Sequence, residues 1–253
     1  MYIADLSVVI KGLNILDTSN VTNMKMMFAF TRVSEISGIE NWDVSNVVNF
    51  AGMFQGHSHV GDSPITHIDV GKWDTSSAEN MSHVFYGCSQ LNYVPIENWD
   101  VSKVKTVSHM FADCFNLQSI DISKWDTSSV ESFDGFLNDC RSLKIIDVSN
   151  LKTDVCKQFS QMFEACVSLE EIIGIENWNV SSANHYAFTE MFHECRKLRK
   201  LSIGSWTASP DSTARMFKNC YSLSDVDLSG IDMSSVISRD EMFEGSNITY
   251  PYS

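Results

Sequence analysis

Long apolar runs are missing from this chain of 253 residues: the longest near the start is Val8-Val9-Ile10. A membrane-spanning helix needs about 20 consecutive apolar residues, and a secretory signal core needs a longer apolar segment than three. The expectation is a chain without an export signal of its own. It is then either an intracellular or virion protein, or a piece of a longer anchored one. Positive charge is also scarce, with 18 Lys and Arg against 32 Asp and Glu and a net charge of -14. Such a balance repels a phosphate backbone, so nucleic-acid binding through a basic face is disfavoured and a basic or divalent-ion-rich partner is favoured. Motifs of chemistry are absent as well. No Ser-His-Asp set, Gly-rich phosphate loop or paired metal-ligand motif of recognised spacing is present, whereas catalysis needs a few unlike groups converging on one place. A non-enzymatic protein without cofactors is expected. Hydrophobic content of 43% excludes disorder.

What the chain does have is a phrase written repeatedly. Trp73, Trp99 and Trp125 are 26 residues apart, and Leu151 takes the next slot. Trp42, Trp178 and Trp206 hold the same place with small insertions or deletions between, while Leu16 and Ile231 stand there at the two ends. Twelve positions on comes an apolar pair: Met27-Phe28, Met53-Phe54, Met110-Phe111, Met162-Phe163, Met191-Phe192, Met216-Phe217 and Met242-Phe243, with Val84-Phe85 and Phe136-Leu137 as variants. A fixed period of this length signals a solenoid, in which each unit buries its apolar side only against its neighbours. The boundaries read as a partial unit at 1–15, nine tandem units over 16–245 and an end segment at 246–253, all one domain.

Inside a unit the period changes. Val104, Val107, Phe111 and Cys114 lie 3, 4 and 3 apart, which predicts one face of a helix. Ser102 stands at its N-cap, and Ser76 with Glu79 and Ser128 with Glu131 have capping-box spacing. Leu117-x-x-Ile120-x-Ile122 then predicts a short strand, with Ile120 and Ile122 inward and Ser119, Asp121 and Ser123 outward. The fold class expected is α/β: a right-handed solenoid of about nine helix-strand units with a parallel sheet on one face.

The phrase "NWDVSNVVNFAGMF" followed by C-x-x-L-x-x-I-D-I resembles the 26-residue repeat of bacterial surface proteins, the BspA-like leucine-rich repeats, over about Ile10 to Gly245. The resemblance implies a curved solenoid, roles in adhesion or recognition at a cell surface, and no catalytic residues.

Several columns of like residues remain to be weighed. Cys88, Cys114, Cys140, Cys166, Cys195 and Cys220 share one column with Cys156 off it; units stacked as helices hold them too far apart for disulfides, so buried thiols are expected. Asp17, Asp43, Asp74, Asp100, Asp126 and Asp232 form an acidic column. One carboxylate per level is too few oxygens for calcium, so a local turn or cap is expected. The Trp and Met ladders read as core. The insertion holding His57, His59, Asp62 and His67 reads as a surface loop, with metal ligation the less favoured alternative. The outward strand positions form two rows: His67, Tyr93, Ser119, Ile145, Glu171, Lys200 and Asp225, then Asp69, Pro95, Asp121, Asp147, Ser202 and Asp227. One row is varied and the other mostly acidic, as a recognition surface would be. From them Asp69, Tyr93, Asp121, Asp147, Glu171 and Asp227 are the candidate partner-binding residues, for a protein ligand or a neighbouring subunit.

Overall fold

The computed structural model describes residues 8–57, 63–224 and 226–248. Successive units lie directly over one another. Indole rings of Trp73 and Trp99 stack at 6.2 Å between centroids with planes 5° apart, and Trp178 and Trp206 at 6.0 Å and 3°. Phe28, Phe54, Phe85 and Phe111 form a second column at 5.6, 5.7 and 5.3 Å. Both columns are buried, as are the members of the Met ladder from Met53 to Met242; Met27 at the first level is exposed. The retained residues are thus the ones that meet their own counterparts one level away.

The predicted helix does not form. Among the described residues there is no α-helix, only short 3-10 turns at Leu13–Ile15 and Ile175–Asn177. Residues 107–114 show what replaces it. Met110, Ala112 and Cys114 donate N–H bonds three residues back, to Val107, His109 and Phe111. The alternate residues Val107, His109, Phe111 and Asp113 donate instead to carbonyls of Ser132, Asp134, Phe136 and Asn138 in the following unit, at 2.8 to 3.2 Å. The segment is a ribbon of tandem turns, half its bonds local and half linking levels. His109 and Asp113 reach it through left-handed φ values of 54° and 59°.

Spacing explains the choice. Packed helices need about 8–10 Å between axes, but levels that stack their rings at 5.3 to 6.2 Å leave no room for one helix per level. A flat ribbon fits that rise and still turns Val107, Met110, Phe111 and Cys114 inward. The 3-4-3 apolar spacing is met equally well by both structures. The capping boxes go with the helix: the backbone N–H of Ser102 is taken by Asp100 Oδ1 at 2.9 Å, and those of Ser76 and Ser128 by Asp74 and Asp126 at 3.0 and 3.2 Å.

The opposite flank carries the extended segments. β1 (Val8–Ile10) pairs in parallel with β2 (Val33–Ile36), and β3 (Ile145–Asp147) with β4 (Glu171–Ile173). Elsewhere the sheet expected on this flank is reduced to short extended pieces, with Leu201 and Val226 forming an isolated parallel bridge. A longer ladder of bridges runs where the chain enters the ribbon: Asn23, Asn49, Asn80, Thr106, Ser132 and Gln158.

Buried donors tie the levels together. Each indole donates to a carbonyl of the preceding level: Trp73 to Ile39, Trp99 to Val70, Trp125 to Ile96 and Trp206 to Ile175, at 2.8 to 3.1 Å. The column thiols do likewise, Cys88 to Phe54, Cys114 to Phe85, Cys140 to Phe111 and Cys220 to Phe192, at 3.0 to 3.3 Å. All seven cysteines are free and buried. Burial pushes the Cys88 and Cys166 thiols up to about 12, so they remain protonated donors and poor nucleophiles.

Candidate interaction surface

The strand flank is where equivalent positions point outward. β3 and β4 pair Ile145 with Glu171, Ile146 with Ile172 and Asp147 with Ile173. Ile146 and Ile172 are buried, and the residues on either side are exposed. That register sets the two outward rows side by side. All six candidate residues, Asp69, Tyr93, Asp121, Asp147, Glu171 and Asp227, are exposed on this flank. Asp225 of the first row lies outside the described residues, as do His59 and Asp62 of the insertion.

The acidic row is locally braced. Asp121 Oδ1 accepts from Ser123 N at 3.0 Å and Ser123 Oγ at 2.7 Å; Asp147 and Asp227 accept the N–H of Ser149 and Ser229, each at 2.9 Å. These bonds, the serine side chain first for Asp121 and Asp147 and the backbone N–H first for Asp227, hold the carboxyls below the ordinary Asp value of 3.8. They are therefore fixed anions at neutral pH, aimed by a turn. Tyr93, 41% exposed, contacts Glu97 Oε2 through its hydroxyl at 3.3 Å.

Sequence reading missed the apolar part of this face. Ile145 is 53% and Ile173 41% exposed; Ile173 occupies the acidic row's slot between Asp147 and Ser202, and Ile145 stands in the varied row. Both border a depression of about 510 Å³ that Glu170, Glu171, Glu176, Arg199, Lys200 and Ser202 also line. The signal was available in the strand alternation of "KIID" and "EEII", where an isoleucine falls on the outward phase.

The other acidic column has a structural task. Asp17, Asp43 and Asp232 accept the N–H of Ser19, Ser45 and Ser234 at 3.0, 3.1 and 3.0 Å, as Asp74, Asp100 and Asp126 do for theirs. Each carboxylate turns the chain into the ribbon. Among the described residues no three His, Cys, Asp or Glu converge to hold a metal, and His57 stacks on Phe30 at 5.1 Å.

Against known families, the model described as "Mycoplasma protein of unknown function, DUF285" matches residues 3–93, 61–173 and 133–250. The chain belongs to this family. DUF285 is thus spread over the repeats as overlapping matches. No curated protein matches. Among solved structures the chain is similar to a leucine rich cell surface protein from Faecalibacterium prausnitzii A2-165, at 22% identity and TM-score 0.41, over 61% of this chain and 37% of that one. It is also similar to a leucine-rich repeat protein from Eubacterium ventriosum ATCC 27560, at 17% and 0.44, over 97% and 82%. A third, from Bacteroides ovatus ATCC 8483, has 16% identity and TM-score 0.40, over 98% and 75%. The chain spans little more than a third of the first protein's length. No helix among the described residues is long and apolar enough to cross a membrane.

Proposed function

We propose that this DUF285 chain is a non-enzymatic protein-interaction solenoid, residues 1–253 forming one body with nine units over 16–245, and that it recognises a protein ligand through the strand flank. Recognition or adhesion at a cell surface, as BspA-like repeats imply, is the finer form of the reading. The observation that carries it is the contrast of columns at β3 and β4. There, exposed equivalents differ in chemistry, Ile145 beside Glu171 and Asp147 beside Ile173, while buried columns stay apolar level after level. A buried ladder tolerates little change; a solvated one varies freely, and a varied face of fixed geometry is a means of specificity.

The test places a photo-crosslinking residue at Tyr93 in one sample and at Lys103, in the exposed turn that leads into the ribbon, in another, and exposes both to native and host surface extracts. Crosslinks confined to the first, and lost when Asp121 and Asp147 become Asn, support the reading. Equal crosslinking from both positions sinks it.

A second reading, a structural subunit of a particle or appendage docking through its ends and flanks, is favoured by Ile15, Leu16, Met26, Met27 and Phe30, exposed together at the first level. Defined oligomers or filaments in a size measurement favour this reading; a monomer favours the first.

A further inference from the structure

The depression bordered by Ile145 and Ile173 has a charge gradient across it. Along the stack, Asp147, preceded by Asp121, comes one level before Ile173 in the acidic row, while Arg199 and Lys200 line the depression beyond it, together with Glu170, Glu171 and Glu176. On other flanks, opposite charges one level apart pair with each other: Lys152 with Asp126 at 3.0 Å and Lys157 with Glu131 at 2.7 Å. Glu171 and Lys200 also occupy successive levels of one row, yet neither pairs with another described residue. Ile145, one level before Glu171, and Ile173, on the strand of Glu171, are exposed as the charges are. An aliphatic floor, with an acidic wall and a basic wall whose charges do not neutralise one another, is complementary to a ligand of the reverse order.

We propose that this depression takes an extended peptide segment in which an aliphatic side chain stands between a Lys or Arg and an Asp or Glu, each two residues away. The inference rests on the reading of the strand flank as the recognition surface. The dimensions agree. Neighbouring extended segments at strand spacing lie about 4.8 Å apart, so Asp121 and Lys200, three levels apart in the repeat, are separated by about 14 Å. An extended chain rises about 3.3 Å per residue and turns alternate side chains to one side, so residues i, i+2 and i+4 span about 13 Å. The segment crosses the strands along the stack. Its cation lies over Asp121 and Asp147, its aliphatic group on Ile145 and Ile173, and its carboxylate over Arg199 and Lys200.

Panning the full chain against a displayed library of short random peptides tests this, with affinities of enriched peptides then measured by fluorescence polarisation. Enriched sequences should carry the cation, aliphatic and anion at alternate positions. Ile173→Lys should weaken them by about tenfold or more. The double variant Arg199→Glu, Lys200→Glu should reselect peptides with Lys or Arg where the wild type chose Asp or Glu, a switch that only a folded and engaged site produces. Absence of the pattern, or affinities indifferent to both variants, overturns the proposal. If the enriched peptides respond to Tyr93→Ala and not to Ile173→Lys, the depression falls and the strand flank stands. If they respond to no variant on the flank, both fall.

Discussion

Along the turn ribbon, a residue is bonded to its own equivalent's neighbour one level on: His109 N–H to Asp134, Gly135 N–H to Ser160, Gln161 N–H to Thr189. On the strand flank, among the described residues, only β1 with β2 and β3 with β4 make paired strands, and an exposed isoleucine can sit beside a glutamate. The ribbon is therefore where the solenoid is held at a fixed rise, and the strand flank is where chemistry can change without disturbing it. Mutations should separate the two. Damage on the ribbon and its inner columns should appear as lost stability, damage on the strand flank as lost recognition.

The largest loss is expected at Phe111, fully buried between Phe85 at 5.3 Å and Phe136 at 5.6 Å. Phe111→Ala leaves a cavity in a column that cannot close without changing the rise of the ribbon, so a cost of about 3–5 kcal/mol is expected from denaturant unfolding. A cost below about 1 kcal/mol would show that the levels slide independently, and the contrast between flanks would lose its basis. Next comes Trp99→Phe. The ring remains apolar, but the Val70 carbonyl, bonded to the indole at 3.0 Å, loses its buried donor at about 1–3 kcal/mol. The same assay on Cys114→Ala isolates the thiol bond to Phe85.

Gly135 tests the ribbon's backbone. It sits at φ 58° in the slot that His109 and Gln161 occupy on the adjacent levels, at 54° and 56°. An added Cβ would meet His109 Nε2 at 2.5 Å, a flexible side chain that can move aside. Gly135→Ala should therefore cost about 1 kcal/mol, mainly for the left-handed conformation. A much larger value would mean that the imidazole is locked in place.

That slot also shows how much of the molecule could be read in advance. The repeat, its period, the buried Trp and Met-Phe ladders and the outward rows were legible because burial imposes a large apolar side chain at equivalent positions. The ribbon was not, because its requirement is a backbone angle. Met26, His83, Gln161, Glu190 and Arg215 all adopt left-handed φ values there, and cross-level hydrogen bonds stabilise them whatever the side chain. No glycine consensus marks the slot, and the apolar spacing it leaves behind imitates a helix. Even the Phe136-Leu137 pair hides a rearrangement: with Leu137 in the column of rings, Phe136 enters from the adjoining slot and meets Phe111 edge-on, at 84°. The aspartates before each ribbon were read as local turn formers, and that is what they do, although the helix they were to cap is absent. On the strand flank the acidic row and the outward place of Ile145 were legible, and Ile173 was not, because an isoleucine in a mostly acidic row resembles the inward residue beside it.

Acid should expose a smaller difference. His83 is half-buried and stacks on His109 at 5.1 Å, and burial, followed by the neighbouring imidazole, holds it below the ordinary 6.5. The unfolded chain then binds a proton more readily, so the contribution to stability is complete above 6.5 and fades as pH falls through the lowered folded value. His83→Gln should flatten the stability profile in that window. The carboxylates at Asp43, Asp100 and Asp121, lowered by bonds from Ser45, Ser102 and Ser123, contribute above 3.8 and lose that contribution in stronger acid. A profile flat from neutrality to 5 in both proteins would show the imidazole pair to be solvated.

Asp121→Ala should have the smallest effect on folding and the clearest on recognition. The side chain is exposed, and it accepts from Ser123, two residues on, at the entry to the turn at 123–124. Removing it deletes a local bond that water can replace, so the change in stability should stay within about 0.5 kcal/mol. It also removes one of the fixed charges of the acidic row, leaving Asp147 as the nearest anion on that side of Ile145. Binding of a cationic segment should weaken and its salt dependence should become shallower, because one charge contact no longer competes with dissolved ions. If Asp121→Ala unfolded the chain as readily as Phe111→Ala, the strand flank would be part of the frame, and its varied rows would have to be explained by packing.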